Sequence, residues 1–349
     1  MSAKIINTAL CSFGMSGKVF HAPFIHCNPN YHLYAVWERS KQLAASIYPT
    51  IKTYANYADL LADDKIDLVI VNTPNIHHFE HARAALEAGK HVVVEKPFTV
   101  TVAEADELIA LAQKNNLVLD VYHNRRYDSD YKVVKKVVTE KLLGEIVEVE
   151  IHYDRFRQEL SPKLHKENPQ PGAGVLYDLG SHLIDQALQL FGMPGAVFAD
   201  ITAMRPQSRV DDYFELLLYY PKHRVRLKAS YQVMEALPAY ILHGSNGSFI
   251  KHKTDTQETA LQAGLLPNTP DWGAEKEEEK GLLCTMVNGE IVKKYLVAEN
   301  GNYMQFYDDL YQAIVENKAL PVGSQAAKEV IVIIEAAFES NHSKKLIYL

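Results

Sequence analysis

The chain has 349 residues, 47% of them apolar and 23% charged, with 36 Lys and Arg against 43 Asp and Glu for a formal charge of -7. At about 150 residues per domain, this length predicts two domains and excludes a single small module, and the composition excludes an intrinsically disordered chain. Acidic balance and dispersed basic residues speak against binding to nucleic acid or to an anionic membrane surface.

From residue 4 to about 120, short β-branched apolar runs alternate with stretches of helical period, the pattern of a parallel sheet wrapped by helices. Strands are predicted at 4–11, 32–38, 67–72, 91–95 and 117–121, several of them apolar throughout, as strands buried on both faces must be. A helix is predicted over 75–88, where Phe79, Ala82, Ala85 and Leu86 lie near helical spacing and Gly89 follows as a C-terminal glycine, and another over 102–115. Beyond residue 121 the pattern changes to long polar-apolar alternation at 147–155, 197–205, 213–220 and 225–233, which predicts an antiparallel sheet. A helix over 180–191 interrupts it, a terminal helix over 324–340 closes it, the acidic run 275–280 reads as a solvated loop, and Asn246-Gly247 reads as a hairpin turn. The fold class is therefore α/β. A doubly wound parallel-sheet domain over 1–121 precedes an α+β domain over 122–349 with a large, mainly antiparallel sheet. A sheet of that size needs covering, so self-association through it is expected.

Cys11, Cys27 and Cys284 are odd in number and widely spaced, unlike a disulfide framework or a zinc knuckle, so a reducing compartment is expected. The apolar run near residue 5 is too short for a signal peptide and no apolar stretch approaches a membrane span, which predicts a soluble, cytoplasmic protein.

The first strand runs into Ser12-Phe13-Gly14-Met15-Ser16-Gly17, a degenerate form of the G-x-G-x-x-G dinucleotide turn with Ser12 in the first position. Gly14 and Gly17 keep the two roles tied to pyrophosphate approach and to close packing of helix on strand. Glu38 falls where an acidic residue would hold the adenosine ribose of NAD, yet Arg39, Ser40 and Lys41 follow at once and suit the 2'-phosphate of NADP. NADP is slightly favoured, with NAD as the alternative.

Glu95-Lys96-Pro97 ends a strand at the carboxyl edge of the sheet, where ligands bind in open α/β folds, and a lysine there is poorly explained as core. Asp178, His182 and Asp185 fall at i, i+4 and i+7, so one face would carry all three if the segment is helical throughout, while Leu183, Ile184, Ala187 and Leu188 pack. That face is either a catalytic acid and base at a cleft or a capping aspartate beside a core histidine. Tyr122-His123-Asn124-Arg125-Arg126-Tyr127-Asp128 sits at the domain junction, dense enough in hydrogen-bonding groups to clamp a polyhydroxylated substrate, although Arg126 and Asp128 could instead make interdomain ion pairs. Tyr153, Asp154, Arg155 and Arg157 carry the same two readings. His77, His78 and His81 include an i, i+4 pair without a third ligand, so a solvated helix start is preferred over a metal site.

Together, the degenerate glycine turn, Glu95-Lys96-Pro97 and the Asp178 to His182 segment make the chain resemble the Gfo/Idh/MocA family of NAD(P)-dependent oxidoreductases over essentially its full length. The stretches 122–128 and 176–186 are most similar to the NADP-dependent scyllo-inositol 2-dehydrogenase branch. The resemblance implies an N-terminal Rossmann domain, a C-terminal substrate-binding and oligomerisation domain, a homodimer or homotetramer, and hydride transfer between NAD(P) and a secondary alcohol or ketone of an inositol-like polyol or sugar. It implies that Lys96, Asp178 and His182 are catalytic, with Lys96 bridging cofactor and substrate and His182 exchanging the alcohol proton, and that no metal is required. It further implies cofactor contacts from Ser12, Phe13, Gly14, Met15, Ser16, Gly17, Glu38, Arg39, Ser40, Thr73, Pro74, Asn75, His78, Glu95, Lys96 and Asn124. Substrate contacts are implied for Lys96, His123, Arg125, Tyr153, Arg155, Asp178 and His182. The alternatives are a family oxidoreductase acting on a dihydrodiol or other carbonyl compound, and a non-catalytic cofactor-binding sensor.

Overall fold

The apolar runs of the first third become six parallel strands in the computed structural model, which describes residues 4–161 and 167–349. They are β1 (Ile6–Leu10), β2 (Tyr31–Trp37), β3 (Lys52–Tyr54), β4 (Leu68–Val71), β5 (His91–Glu95) and β6 (Leu119–Tyr122), in the spatial order β3-β2-β1-β4-β5-β6. The order reverses between β1 and β4, the switch point at which open α/β sheets bind nucleotides. All of Leu68–Val71 is buried, as the uninterrupted apolar run requires. β3 escapes sequence reading because it is a three-residue edge strand with Lys52 exposed and no apolar run.

The intervening helices are α1 (Ala22–Cys27), α2 (Leu43–Ile47), α3 (Tyr57–Leu61), α4 (His78–Glu87) and α5 (Val102–Lys114). α1 is preceded by a π-helical turn over Ser16–His21, and α4 by a 3-10 turn over Asn75–His77, which shortens the helix predicted for 75–88. Gly89 closes α4 at φ +76°, a conformation that a side chain resists. A Thr101–Glu104 capping box starts α5.

Two compact units divide the chain, and they are interleaved: Gln257–Trp272 and Asn302–Lys328 cluster with residues 1–124, where the sequence reading places one boundary after 121. The helix Met304–Glu316 brings an aromatic set to the first unit. Tyr307 stacks on Phe24 with centroids 5.9 Å apart, Phe306 meets Tyr122 edge-on at 4.9 Å, and the Tyr31 hydroxyl donates to the Tyr307 carbonyl at 2.7 Å.

In the second unit, residues 125–256, 273–301 and 329–349, the alternating segments form a nine-stranded sheet. Its strands are β7 (Ile146–His152), β8 (Ala196–Thr202), β9 (Tyr213–Tyr219), β10 (Arg224–Ser230), β11 (Tyr240–Gly244), β12 (Gly247–Lys251), β13 (Gly281–Val287), β14 (Glu290–Leu296) and β15 (Ile347–Tyr348). The order is β14-β13-β12-β11-β7-β10-β9-β8-β15, antiparallel throughout except for the parallel pair β7 and β10. Phe214, Leu216 and Leu218 alternate inward on β9, as do Val225, Leu227 and Ala229 on β10. β8 stops short of the predicted 205 because the Met204 and Arg205 amides donate to the Asp212 carboxylate at 2.6 and 3.1 Å instead of continuing the ladder. Two helices of this unit matter for function, α6 (Ser129–Thr139) and α7 (Ser181–Phe191).

The β11–β12 hairpin turns between Gly244 and Gly247, as the Asn246-Gly247 signal predicts. The β13–β14 hairpin was equally legible: Asn288 and Gly289 both take positive φ, 52° and 84°, the requirement of the tight turn that Asn-Gly favours. The acidic run 275–280 is solvated only in part. The Glu275 side chain is 5% exposed, and its carboxylate takes the ammonium of the fully buried Lys251 and the Thr254 hydroxyl, because a buried lysine requires a counter-charge. Among the described residues, no helix is long and apolar enough to cross a membrane.

Candidate active site

The first unit builds a nucleotide turn at the switch point. Ser12 is tied to Asn72, beyond β4, by three hydrogen bonds of 2.9 Å: its amide to the Asn72 Oδ1, its hydroxyl to the Asn72 carbonyl, and the Asn72 Nδ2 to its own carbonyl. A serine thus secures the bend where a glycine is more usual. A Cβ on Gly17 would lie 2.2 Å from the Ser12 carbonyl oxygen, so only glycine lets helix and strand approach this closely. A Cβ on Gly14 would meet nothing nearer than 3.9 Å, which leaves the turn's backbone open to an approaching phosphate. This tight-then-open pattern fits a bound dinucleotide. Phe13 is 5% exposed and packs on Tyr48, so any contact it makes with a ligand is through its backbone.

Beneath the turn lies a buried network that sequence reading did not find. The Glu95 carboxylate accepts from the Ser16 hydroxyl, from His21 Nε2 at 2.9 Å and from the Lys96 amide at 3.1 Å, while His21 Nδ1 meets the Tyr307 hydroxyl at 2.7 Å. The Lys96–Pro97 bond is cis. Burial works against charge on Glu95, yet the hydrogen bonds from His21 and Ser16 and the positive Lys96 hold its pKa at about 2, from an ordinary 4.5. The sign follows: the stabilisation is complete above about 4.5 and is lost as pH falls through about 2. Stability measured between these pH values should therefore fall less steeply, by up to one proton, in Glu95→Gln than in the wild type; equal slopes would show that the network does not depend on the charge. A lone histidine at position 21 carried no signal, since its partners lie 74 and 286 residues away.

Glu38, the residue expected to hold ribose, has both carboxylate oxygens engaged by the Leu43 and Ala44 amides at 2.9 and 3.0 Å, so it caps α2. Arg39, Ser40 and Lys41 beside it are exposed. His78 is fully buried, with Nδ1 2.8 Å from the Pro97 carbonyl and Nε2 2.9 Å from the Thr73 carbonyl. Burial lowers its pKa, so the neutral ring donates to one of these two carbonyls and ties the segments carrying Thr73 and Lys96. Neither is the helix start solvated at His81, whose Nδ1 lies 3.0 Å from the Thr73 hydroxyl and whose pKa burial pushes down to about 4. Among the described residues no group of three or more His, Cys, Asp or Glu is arranged to hold a metal. His123 and Asn124, beyond β6, are buried at the end of the first unit's sheet.

The second unit holds the remaining predicted residues. Gly174, at φ +97°, brings the chain against Asp211: a Cβ there would lie 1.9 Å from the carboxylate, which accepts the Leu176 amide at 2.8 Å. A π-helical turn over Leu176–Gly180 then carries Asp178 and leads into α7 with His182. The helix expected over 180–191 is α7, but a regular helix running on from Asp178, the condition for one shared face, is not met: Asp178 lies in the π-helical turn, a departure that clusters at functional sites. The division into a polar and a packed face is also corrected, because every residue from Ser181 to Leu188 is buried. Asp185 is claimed by Arg126 in a two-point ion pair, Nη2 to Oδ1 at 2.6 Å and Nε to Oδ2 at 2.9 Å, which lies within the second unit and is not interdomain.

His182, Leu183 and Gln186 of α7 line a pocket with Arg125, Asp128, His152, Tyr153, Tyr240 and Lys253. Of the predicted substrate contacts, Arg125, Tyr153 and His182 are thus gathered in one cavity. Arg155 lies 4.9 Å from the Tyr153 ring centroid, and although burial disfavours its charge, Tyr153, Tyr231 and the Asp178 carboxylate raise its pKa. Sequence reading missed Lys253, His152 and Gln186. Gln186 accepts from the Tyr240 hydroxyl at 3.1 Å and donates to the Arg125 carbonyl at 3.3 Å, fixing the pocket wall. His152 Nε2 lies 2.9 Å from Glu150, and burial notwithstanding, Asp154 and Glu150 raise its pKa.

Residues 6–123 match the family model described as oxidoreductase family, NAD-binding Rossmann fold, and residues 135–349 match the model described as oxidoreductase family, C-terminal alpha/beta domain. The chain is 38% identical to scyllo-inositol 2-dehydrogenase (NADP(+)) IolW from Bacillus subtilis (strain 168), over 99% of this chain and 96% of that protein. It is 39% identical to the uncharacterized oxidoreductase YdgJ from Escherichia coli (strain K12), over 96% of each. A crystal structure of an oxidoreductase from Bacillus cereus superposes with a TM-score of 0.91 at 33% identity, over 99% of this chain and 98% of that one.

Proposed function

The chain belongs to the Gfo/Idh/MocA oxidoreductase family, and from that premise we propose that it transfers a hydride between NADP(H) and a secondary alcohol or ketone of a neutral cyclic polyol or sugar, inositol-like in its ring of hydroxyls. The observation that carries this reading is the pocket of the second unit, where a histidine able to exchange a proton sits among Tyr153, Gln186, Arg125 and Lys253, side chains suited to several hydroxyls at once. The activity of the relative IolW points the same way.

Nicotinamide, when bound, takes up or returns the hydride. The chain's own residues have the rest of the work: removing the hydroxyl proton and stabilising the alkoxide charge that its removal puts on the oxygen, a charge that the departing hydride then carries away to leave a neutral carbonyl. We assign the proton to His182 Nε2 or Nδ1, the stabilising cation to the Lys96 ammonium, and to Asp178 the holding of substrate and the tuning of His182. Ser12 to Gly17 with Thr73, Pro74, Asn75 and Asn124 would hold the dinucleotide. Glu38 is occupied in capping α2, which supports Arg39 and Ser40 as readers of the adenosine 2'-phosphate and hence NADP over NAD.

The test is nicotinamide absorbance in purified protein given NADP or NAD with a panel of inositols and aldoses. Silence across the panel, despite measured cofactor binding, would shift the reading to a cofactor-binding sensor. Arg39→Ala should weaken NADP binding about tenfold or more while leaving NAD nearly unchanged, since one charge-assisted contact to the phosphate is lost. Equal weakening of both would return the role to Glu38. We also assign a homo-oligomer, assembled through the second unit's sheet: Ile291 and Tyr295 of the edge strand β14 are 72% and 68% exposed, which is costly for a lone chain. Sedimentation as a monomer would withdraw that part.

A further inference from the structure

Lys253 follows β12 by two residues and projects toward two carboxylates. Its Nζ lies 2.5 Å from Asp128 Oδ2 and 3.3 Å from Asp130 Oδ2. Both carboxylates are fully buried, whereas the Lys253 side chain remains 30% exposed and forms part of the pocket wall that also contains His182. The backbone beside it is pinned as well, the Thr254 and Asp255 amides donating to Asp130 Oδ2 at 2.7 and 3.1 Å. Two fully buried acids thus hold one cation whose side chain lines the same pocket as His182, an arrangement that preorganises a donor for something entering that pocket.

We propose that Lys253 is a specificity-determining residue, its ammonium donating to a hydroxyl or carbonyl oxygen of an uncharged polyol while Asp128 and Asp130 set its position. The assignment rests on the polyol reading above and refines it. Charge argues for a neutral ligand. Arg125 Nη1 also lies 3.6 Å from Asp128, so the two cations of the wall have their compensating carboxylates behind them. A phosphate or carboxylate substituent would bring further negative charge against Asp128 and Asp130. Burial disfavours charge on Lys253, but the two aspartates raise its pKa well above the ordinary lysine range, so it remains a donor.

The experiment compares wild type, Lys253→Arg and Lys253→Met with scyllo-inositol, myo-inositol, D-glucose and D-glucose 6-phosphate. It also follows NADPH binding by fluorescence and folding by melting. Arginine keeps the charge that Asp128 and Asp130 need, so Lys253→Arg should melt near the wild type and bind NADPH within about twofold, yet show KM for the best polyol raised about tenfold or more at little-changed kcat. Lys253→Met, if it folds, should show the same rise. A merely structural lysine would be rescued by arginine, and wild-type KM in Lys253→Arg would overturn the role. Preference of the wild type for D-glucose 6-phosphate over D-glucose would overturn the neutral-ligand argument. Wild-type turnover with an unmoved KM removes Lys253 alone, whereas a wild type silent on every probe defeats the polyol reading and this role with it.

Discussion

Lys96→Met and His182→Ala should each lower turnover by at least ~100-fold, the lower end of what a proton-transfer or charge-stabilising group contributes, while the NADP dissociation constant stays within a few-fold of wild type. The expectation rests on division of labour in the proposed reaction. Alcohol oxidation passes through an oxygen made negative by loss of its proton before the hydride departs to leave a neutral carbonyl, and a buried site offers no water to take the proton or screen that charge. His182 is 6% exposed and faces the pocket, so its loss removes a proton acceptor that solvent cannot replace. Lys96 stands at the carboxyl end of β5, its amide held by Glu95, so its backbone is anchored whichever side chain it carries. Steady-state turnover with saturating NADP, together with a binding titration, separates the two roles. If both groups serve one transition state, the double variant should be little worse than either single one. Near-normal turnover in either single variant removes that residue from the mechanism.

Asp185→Ala should destabilise the protein by about 3–5 kcal/mol, the cost of stranding one partner of a buried ion pair. The Arg126 and Asp185 side chains are 9% and 3% exposed and meet at two points, so the guanidinium would lose its counter-charge where water cannot substitute. Chemical denaturation reads the change directly, and the melting temperature should fall on the order of 10 °C. Per folded molecule, turnover should persist, since neither Arg126 nor Asp185 is among the residues that line the pocket with His182. A stable but inactive Asp185→Ala would place this aspartate in the chemistry after all. Stability and turnover read together therefore assign Asp185 to structure or to chemistry, a choice that spacing alone leaves open.

Patterns of burial were legible in the sequence, and partnerships were not. The β-branched runs, Gly89 and the Asn246-Gly247 turn report local backbone requirements, which depend on neighbours a few residues away, so the α/β architecture and both glycines of the nucleotide turn could be read from them. Glu38 shows the limit. Its position after β2 is the same whether it binds ribose or caps α2, and only the Leu43 and Ala44 amides decide which. Lys253 and His21 show it more sharply, because Asp128 lies 125 residues from the first and Tyr307 lies 286 residues from the second. No periodicity encodes a contact at such separation. The β13–β14 hairpin is a different case, since Asn288-Gly289 announced it and went unread.

The interleaving of the units bears on how this protein can be cut. A fragment ending at Asn124 would keep all six parallel strands yet lack the helix Met304–Glu316 and, with it, the ring stacked on Phe24 and the hydroxyl that meets His21. Such a truncation would bare an oily surface and break the hydrogen bonding under the phosphate turn, so the nucleotide half is not a detachable cassette. Gene fusions or swaps that treat it as one would have to carry the distal aromatic helix along.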